Sequence, residues 1–133
     1  TKFTKPGQAD DFYNEHRGKP FFTDLCSFMQ SDVCTGMELV AENAIKDSES
    51  AWGQQARRAK QNAPGTLRAQ FGTDGMRNAM HGSGSASDYQ RESNLFFSKQ
   101  FGPTAAFNNC TCAVIKPHIV QEGLAGQVID MIL

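Results

Sequence analysis

The chain lacks the features that mark several specialised classes of protein. Its 133 residues carry a formal net charge of −1, so the charge balance indicates no general attraction to nucleic acid or to a membrane surface. No apolar run approaches the ~20 residues that a membrane-spanning helix needs, and residues 1–20 do not resemble a signal peptide. We therefore expect a cytoplasmic protein with no nucleic-acid partner and no membrane partner.

The usual sequence patterns for metal binding and for P-loop chemistry are also missing. The four cysteines are Cys26, Cys34, Cys110 and Cys112, with no C-x-x-C pair and no histidine at zinc-finger spacing. Buried, reduced thiols are the interpretation that best fits a cytosolic protein. The pattern G-x-x-x-x-G-K-[ST] is absent as well, which disfavours a P-loop enzyme.

The chain does have enough apolar side chain to build a packed core. Hydrophobic residues make up 39% of the sequence, with 10 phenylalanines among them, and the length suits one ordinary domain. Apolar spacing and turn residues predict helices over 21–29, 43–52, 86–95 and 122–133, strands over 33–40 and 110–116, a long loop over 54–65 and a polar linker over 98–109.

The segment that indicates a catalytic site runs from Asn78 to Ser85 and has the sequence NAMHGSGS. A short apolar run leads to His81, and the small residues after it leave the imidazole unshielded. Ser85 has the features of a helix N-cap, with Asp88 three residues later as a weak capping box. An imidazole beside a helix start is close to N–H groups that favour an anion. This suits a histidine that accepts a phosphoryl group, although a plain turn residue is the alternative.

Several short sequence motifs around His81 resemble the signature of the nucleoside diphosphate kinase family. They are Arg77-Asn78-x-x-His81-Gly82-Ser83-x-Ser85, the preceding PGTLR at 64–68, and Glu92. The resemblance covers residues 8–97 and resumes at 110–133, where CAVIKPH looks like the opening strand of that family. It therefore implies two such domains in tandem, and the similarity is greatest to the tandem-domain, ciliary members.

The resemblance also implies a fold and a division of the chain. The expected fold class is α/β (α+β), a ferredoxin-like antiparallel sheet with covering helices, incomplete in this chain. Residues 1–97 would form a first domain without its opening strand, residues 98–109 a linker, and residues 110–133 the opening strand and helix of a second domain.

The family's site residues fall on specific positions of this sequence. His81 would carry the phosphoryl group, Glu92 would hold its ring, and Ser83 would support that carboxylate. The resemblance further implies nucleotide-binding roles for Tyr13, Phe21, Arg68, Asn78 and, in the second domain, Lys116. The plainer alternatives are a packing role for Tyr13, a solvated charge at Arg68 and a surface acid at Glu92.

Two departures from the family pattern bear on activity. Glu49 stands where the family has a phosphate-binding arginine, and Gly84 replaces an acid of the histidine motif. They favour a mainly structural component with weak or vestigial phosphotransfer. The resemblance to the ciliary members implies that this component belongs to ciliary axonemal doublet microtubules and is of the microtubule inner protein type. Its implied partners are tubulin and other axonemal proteins or the γ-tubulin complex, at an axoneme, a centrosome or elsewhere in the cytoskeleton.

The alternative function is that of an active nucleoside diphosphate kinase. Such an enzyme moves a γ-phosphoryl group between nucleoside di- and triphosphates through a phosphorylated histidine, here His81. The family carries Mg²⁺ on the nucleotide phosphates, so the resemblance implies Mg²⁺ as a cofactor of the active form and no metal site built from protein side chains alone.

Overall fold

The computed structural model of the chain describes Phe3 and residues 7–53, 55–97 and 110–133. Within these residues the sheet has three antiparallel strands in the order β1–β3–β2. The strands are β1 (Thr35–Val40), β2 (Met80–Gly82) and β3 (Cys110–Ile115). All six residues of β3 are buried, so the last strand in sequence is the centre of the sheet. The mixed helix and antiparallel-sheet architecture confirms the fold class expected from the sequence.

Short helices pack against both faces of this sheet. Side chains of a strand alternate between its faces, and in β3 Cys112 and Val114 join one apolar cluster while Ala113 and Ile115 join the other. The helices are α1 (Gln8–Phe12), a 3-10 helix (Asn14–His16), α2 (Phe22–Ser31), α3 (Ala44–Trp52), α4 (Ala56–Asn62), α5 (Leu67–Phe71), α6 (Ala86–Phe96), α7 (Pro117–Gln121) and α8 (Ala125–Asp130).

The predicted loop over 54–65 is wrong, because helix α4 occupies most of it. Its buried side chains are Ala56 and Ala59, two small residues one turn apart that give almost no hydrophobic signal. The surrounding polar and basic residues face outward. A helix of this kind is stabilised by its packing against neighbouring elements, here mainly α5.

The predicted helix over 122–133 is also wrong in its bounds. Only α8, Ala125–Asp130, lies within that range, and a separate short helix precedes it because Pro117 begins α7 at a position that favours proline. Gly123 then takes a left-handed backbone angle, with φ at 72°, and ends the first helix before α8 starts. Left-handed angles favour glycine, which has no Cβ.

The boundary expected between two domains does not separate the sheet. The predicted linker 98–109 lies outside the described residues, but β3 pairs with β1 over six residues and with β2 over three. In the sheet order β1 and β2 lie on opposite sides of β3. Residues 110–115 therefore join the strands of residues 1–97 in one sheet, and the assignment of 110–133 to a second domain remains a prediction.

Two further properties concern the whole described chain. In the parts that the structure describes, no helix combines the length and apolar character needed to cross a bilayer. All four cysteines are buried. Burial raises the pKa of the Cys26 thiol to about 11 and that of Cys112 to about 12, which keeps these thiols protonated and unreactive near neutral pH.

Candidate active site

Six of the eight sequence-predicted site residues line one cavity of about 500 Å³. This volume is within the range of pockets that hold small molecules. The six residues are Tyr13, Phe21, Arg68, Asn78, His81 and Lys116. The other two, Ser83 and Glu92, are buried and hydrogen-bonded to each other, and Glu92 also bonds His81. The structure thus brings together residues that are up to 103 positions apart in sequence (13 and 116).

The backbone that leads into His81 is held in an unusual conformation. Ala79 has a φ of 70°, a left-handed angle that costs a non-glycine residue about 1–3 kcal/mol. The Met80 amide donates to the Asn78 carbonyl at 2.9 Å, and the Lys116 amide donates to the Ala79 carbonyl at 2.9 Å. The tight turn before His81 is therefore fixed by the residue that follows β3.

A buried hydrogen-bond chain orients the His81 ring. Its Nε2 lies 2.9 Å from Oε2 of Glu92, and the Ser83 hydroxyl donates to the same oxygen at 2.7 Å. Arg91 Nη2 donates to the other oxygen at 3.2 Å. Because the carboxylate only accepts, Nε2 carries the proton and the lone pair of neutral His81 is on Nδ1. The imidazole is thus prepared to act as a nucleophile through Nδ1.

Neighbouring secondary-structure elements hold both ends of this chain of hydrogen bonds. Ser85 caps helix α6, since its hydroxyl accepts from the Asp88 amide at 3.1 Å, which confirms the cap expected from the sequence. Helix α6 carries Glu92, whose exposed fraction is only 1%. On the sheet side, the Cys112 amide donates to the Ser83 hydroxyl at 3.1 Å. The central strand and the capped helix therefore fix the carboxylate and the serine from opposite sides.

Two cations line the cavity beside His81. Lys116 is only 4% exposed and its ammonium donates to the Met76 carbonyl at 3.1 Å. Burial, together with the nearby Arg68, lowers the pKa of Lys116 from 10.5 to about 7. Arg68 donates to the Gly53 carbonyl at 2.9 Å and to the Met80 carbonyl at 3.2 Å, and burial lowers its pKa too. The partly buried Arg68 and the buried Lys116, when protonated, repel each other, and an anionic ligand would relieve this repulsion.

Several polar atoms of the lining residues have no protein partner among the described residues. They are the Tyr13 hydroxyl, Nε of Arg68 and Oδ1 of Asn78, each buried. Leaving a buried polar atom unpaired costs about 1–3 kcal/mol. Their common position around one cavity indicates that a polar ligand completes their hydrogen bonding.

The two departures noted in the sequence lie away from this cavity's lining. Glu49 is exposed on α3 and lines a separate cavity of about 300 Å³, whose wall also includes Arg68 and Gly53. Gly84 is exposed in the turn before α6. Arg68 therefore lines both cavities, and Glu49 lines the one that does not include His81.

Two lining residues with polar side chains were not predicted from the sequence. Gln55 reaches the cavity from the segment interpreted as a loop, and no pattern in that segment marks it. His16 lines the cavity too, with its ring parallel to that of Tyr13 (interplanar angle 14°) and edge-on to that of Phe21 (70°). The available signal for His16 was its position among the aromatic residues between 12 and 22.

The sequence profile described as nucleoside diphosphate kinase matches residues 2–101 of this chain. The chain belongs to the nucleoside diphosphate kinase family. It is 42% identical over 127 residues to nucleoside diphosphate kinase homolog 7 of Rattus norvegicus, an alignment that covers 92% of this chain. The corresponding mouse protein is 40% identical over the same length. The chain spans 32% of the length of each of these two relatives.

Single-domain relatives match as well. The nucleoside diphosphate kinase of Picrophilus torridus is 40% identical over 92 residues, which is 69% of this chain and 65% of that protein. Among solved structures, an Aquifex aeolicus nucleoside diphosphate kinase crystal form superposes with a TM-score of 0.65 at 36% identity. That superposition covers 75% of this chain and 71% of the other. The family and its fold are thus supported by sequence and by structure independently.

Proposed function

We propose that the His81 site transfers phosphoryl groups between nucleotides, as a nucleoside diphosphate kinase does. The observation that carries this proposal is the buried His81–Glu92–Ser83 hydrogen-bond chain. It lies against a cavity that also holds Lys116 and Arg68. A nucleophile, its orienting carboxylate and two cations for phosphate oxygens are the groups that such a reaction requires.

In the first half-reaction, Nδ1 of His81 attacks the γ-phosphorus of a nucleoside triphosphate. The Nδ1–P bond forms, the bond from phosphorus to the β-γ bridging oxygen breaks, and the nucleoside diphosphate leaves with that oxygen. The ring keeps its proton on Nε2 and becomes cationic, which the carboxylate of Glu92 stabilises. A second nucleoside diphosphate reverses these bond changes and removes the phosphoryl group, so the two steps balance.

The remaining lining residues have supporting roles in this scheme. Lys116 and Arg68 would neutralise phosphate oxygens as the negative charge shifts in the transition state. Tyr13 and Asn78 would use their unpaired oxygen atoms on the phosphates and the ribose. Phe21, whose side chain is exposed at the cavity, offers a ring face on which a base can stack.

Mg²⁺ is proposed to reach the site on the nucleotide. Among the described residues, no group of three or more His, Cys, Asp or Glu side chains is placed to hold a metal ion. Mg²⁺ binds readily through phosphate oxygens and retained waters, without a complete cage of protein ligands. When bound, the ion would neutralise phosphate charge. The protein's own contribution would be Lys116, Arg68 and the oriented His81.

Incubation with γ-labelled triphosphate tests this function directly. The expected result is an acid-labile, base-stable phosphoprotein whose label a nucleoside diphosphate removes. His81→Gln should abolish labelling, whereas His118→Asn, at a histidine that does not line the cavity, should retain it. Undiminished labelling of His81→Gln would remove His81 from the reaction.

A second candidate function is the structural role in axonemal microtubules that the resemblance implies. Support for it comes from the similarity to homolog 7 over 92% of the chain and from Glu49, an acid that lines the same cavity of about 300 Å³ as Arg68. Co-sedimentation of the intact protein with tubulin polymer tests it. Binding that is equal for the wild type and His81→Gln supports a structural role, and absence of binding contradicts it.

We also propose that residues 110–133 begin a second kinase-like domain in the longer protein. The alignment with homolog 7 covers 92% of this chain, so it continues past the family match, which ends at residue 101. A second copy of the His81 motif downstream in the complete protein is the expected finding. A complete sequence without such a copy would contradict the tandem arrangement.

A further inference from the structure

Arg91, a residue of α6 to which the proposed reaction gives no role, lies against the Glu92 carboxylate. Its Nη2 donates to Oε1 of Glu92 at 3.2 Å, whereas Oε2 bonds His81 and Ser83. Its Nη1 donates to Oδ1 of Asp88 at 2.7 Å. In the described part of the chain, no other group is hydrogen-bonded to Oε1 of Glu92. One guanidinium therefore joins the capped start of α6 to the carboxylate that orients the histidine.

The burial of Glu92 distinguishes this contact from an ordinary ion pair on a helix surface. Arg91 and Asp88 are three residues apart, and such a pair alone contributes little. Glu92, however, is only 1% exposed, and a buried carboxylate is costly unless a charged partner compensates it. Neutral His81 and the Ser83 hydroxyl give it hydrogen bonds but no charge. Arg91 is thus the cation in direct contact with Glu92.

We propose that Arg91 is a positioning residue, which acts through Glu92 to keep Nδ1 of His81 free of a proton. Without this cation, the Glu92–His81 pair would bind one more proton at a given pH. That proton goes first to Nδ1, because imidazole is more basic than a carboxylate, and gives an imidazolium beside a carboxylate. Transfer of the Nε2 proton to Glu92 then gives an imidazole protonated at Nδ1 beside a carboxylic acid.

Both of these forms have a hydrogen on Nδ1 and lack the lone pair that attacks phosphorus. Arg91 would therefore set the pH range in which His81 is a nucleophile, although it touches neither the ring nor the nucleotide. This inference rests on the proposed phosphoryl transfer and assigns a further residue to the same site.

The other charged groups around the pair are the same in the wild type and in an Arg91 variant. They are two acids that act on Arg91 and two cations that line the cavity, namely Asp88, Glu15, Lys116 and Arg68. Tyr13 and Cys112 also lie close to Glu92, and both stay neutral near pH 7. Burial raises the pKa of the Tyr13 hydroxyl well above its usual value and that of the Cys112 thiol to about 12. A difference between the variants therefore reports on the guanidinium.

Nitrogen-15 NMR of the full chain without nucleotide follows the protonation of Nδ1 of His81 against pH. Arg91→Met keeps the aliphatic stem and removes the charge, so the midpoint at which Nδ1 gains its proton should rise by at least about half a pH unit. Arg91→Gln keeps an N–H donor without charge and should shift the midpoint in the same direction, whereas Arg91→Lys should restore at least half of the difference. Arg17→Met, at an exposed arginine with its own ion pair to Asp11 at 3.2 Å, should leave the midpoint unchanged.

Phosphoprotein formation from γ-labelled triphosphate, measured against pH, gives the second readout. The acid side of the profile of Arg91→Met should move up by the same amount as the NMR midpoint, and labelling above that range should approach the wild-type level. Equal midpoints for wild type, Arg91→Met and Arg91→Gln would overturn the inference. So would labelling reduced by one factor at every pH, because Arg91 would then only support the fold. A shifted midpoint in a protein whose wild type takes no label would instead contradict the proposed function and retain the charge effect of Arg91.

Discussion

Replacing Lys116 by methionine should make the protein more stable at neutral pH and less able to bind nucleotide. The lysine is 4% exposed and its pKa is lowered from 10.5 to about 7. Each unit of pKa shift corresponds to about 1.4 kcal/mol, so burying the charged form of Lys116 costs on the order of 5 kcal/mol. Methionine has a similar length and carries no charge, so the variant avoids this cost.

The two pKa values of Lys116, in the folded and in the unfolded chain, determine how the stability difference between variant and wild type changes with pH. Below pH 7 Lys116 is protonated in both the folded and the unfolded chain, so folding bears the full cost of the buried charge. Between pH 7 and pH 10.5 the unfolded chain binds the proton and the folded chain does not, so the wild type gains stability as the pH rises. The stability advantage of Lys116→Met should thus be largest at or below pH 7 and shrink towards pH 10.5.

Urea unfolding at several pH values between 6 and 10 measures this difference. We expect Lys116→Met to have a higher free energy of unfolding than the wild type at pH 7. This gain should be at least about 2 kcal/mol larger at pH 7 than at pH 10. The lost hydrogen bond to the Met76 carbonyl subtracts about 1 kcal/mol at every pH. Other titrating groups cancel in the difference. Lys60→Met serves as the control at an exposed lysine, and parallel pH curves for wild type and Lys116→Met would refute the reasoning.

Three other substitutions have expected outcomes. Glu92→Gln keeps the side-chain size but removes the charge that orients His81, so phosphoprotein formation from γ-labelled triphosphate should fall at least about tenfold and urea unfolding should show a loss of about 1–3 kcal/mol; full labelling would contradict the role of the carboxylate. Gly82→Ala places a Cβ against the indole of Trp52 and should lower stability by about 1–3 kcal/mol, whereas Gly65→Ala, with nothing within 4 Å of its Cβ, should change it little in the same thermal melts. Glu49→Arg should tighten nucleotide binding by less than about threefold at low salt, and by less still at high salt, because Glu49 is exposed and lines a cavity without His81; a gain of about tenfold or more at low salt would show that Glu49 acts directly on the ligand.

The structure brings the predicted site residues together, whereas some of the predicted elements around them differ from those observed. The motif around His81 keeps its spacing because one turn and one capped helix, α6, position the ring, the serine and Glu92, so a local pattern contains the geometry. Helix α4 was missed because its buried face consists of two alanines. His16 was missed because no periodic pattern marks a residue of a 3-10 helix.

The role of β3 lay beyond what the sequence could show. Its pairing joins residues 35–40 and 80–82 to residues 110–115, and neither apolar spacing nor turn residues determine which distant strands pair. This pairing also brings Lys116 to His81, although the resemblance assigns the two residues to different domains. Contacts between segments distant in sequence depend on the packing of the whole sheet.

The charge balance of the site bears on whether phosphotransfer persists. Glu49 was the main reason to doubt it, since an acid beside a triphosphate repels its charge. The structure, however, has Glu49 exposed to solvent, while Lys116 is buried and Arg68 is partly buried in the cavity that includes His81. At equal distance a charge in water interacts with a ligand several times more weakly than one in the protein interior. The partly buried Arg68 and, when it is protonated, the buried Lys116 therefore outweigh one exposed anion, and the electrostatics of the cavity favour retention of an anionic ligand despite the substitution.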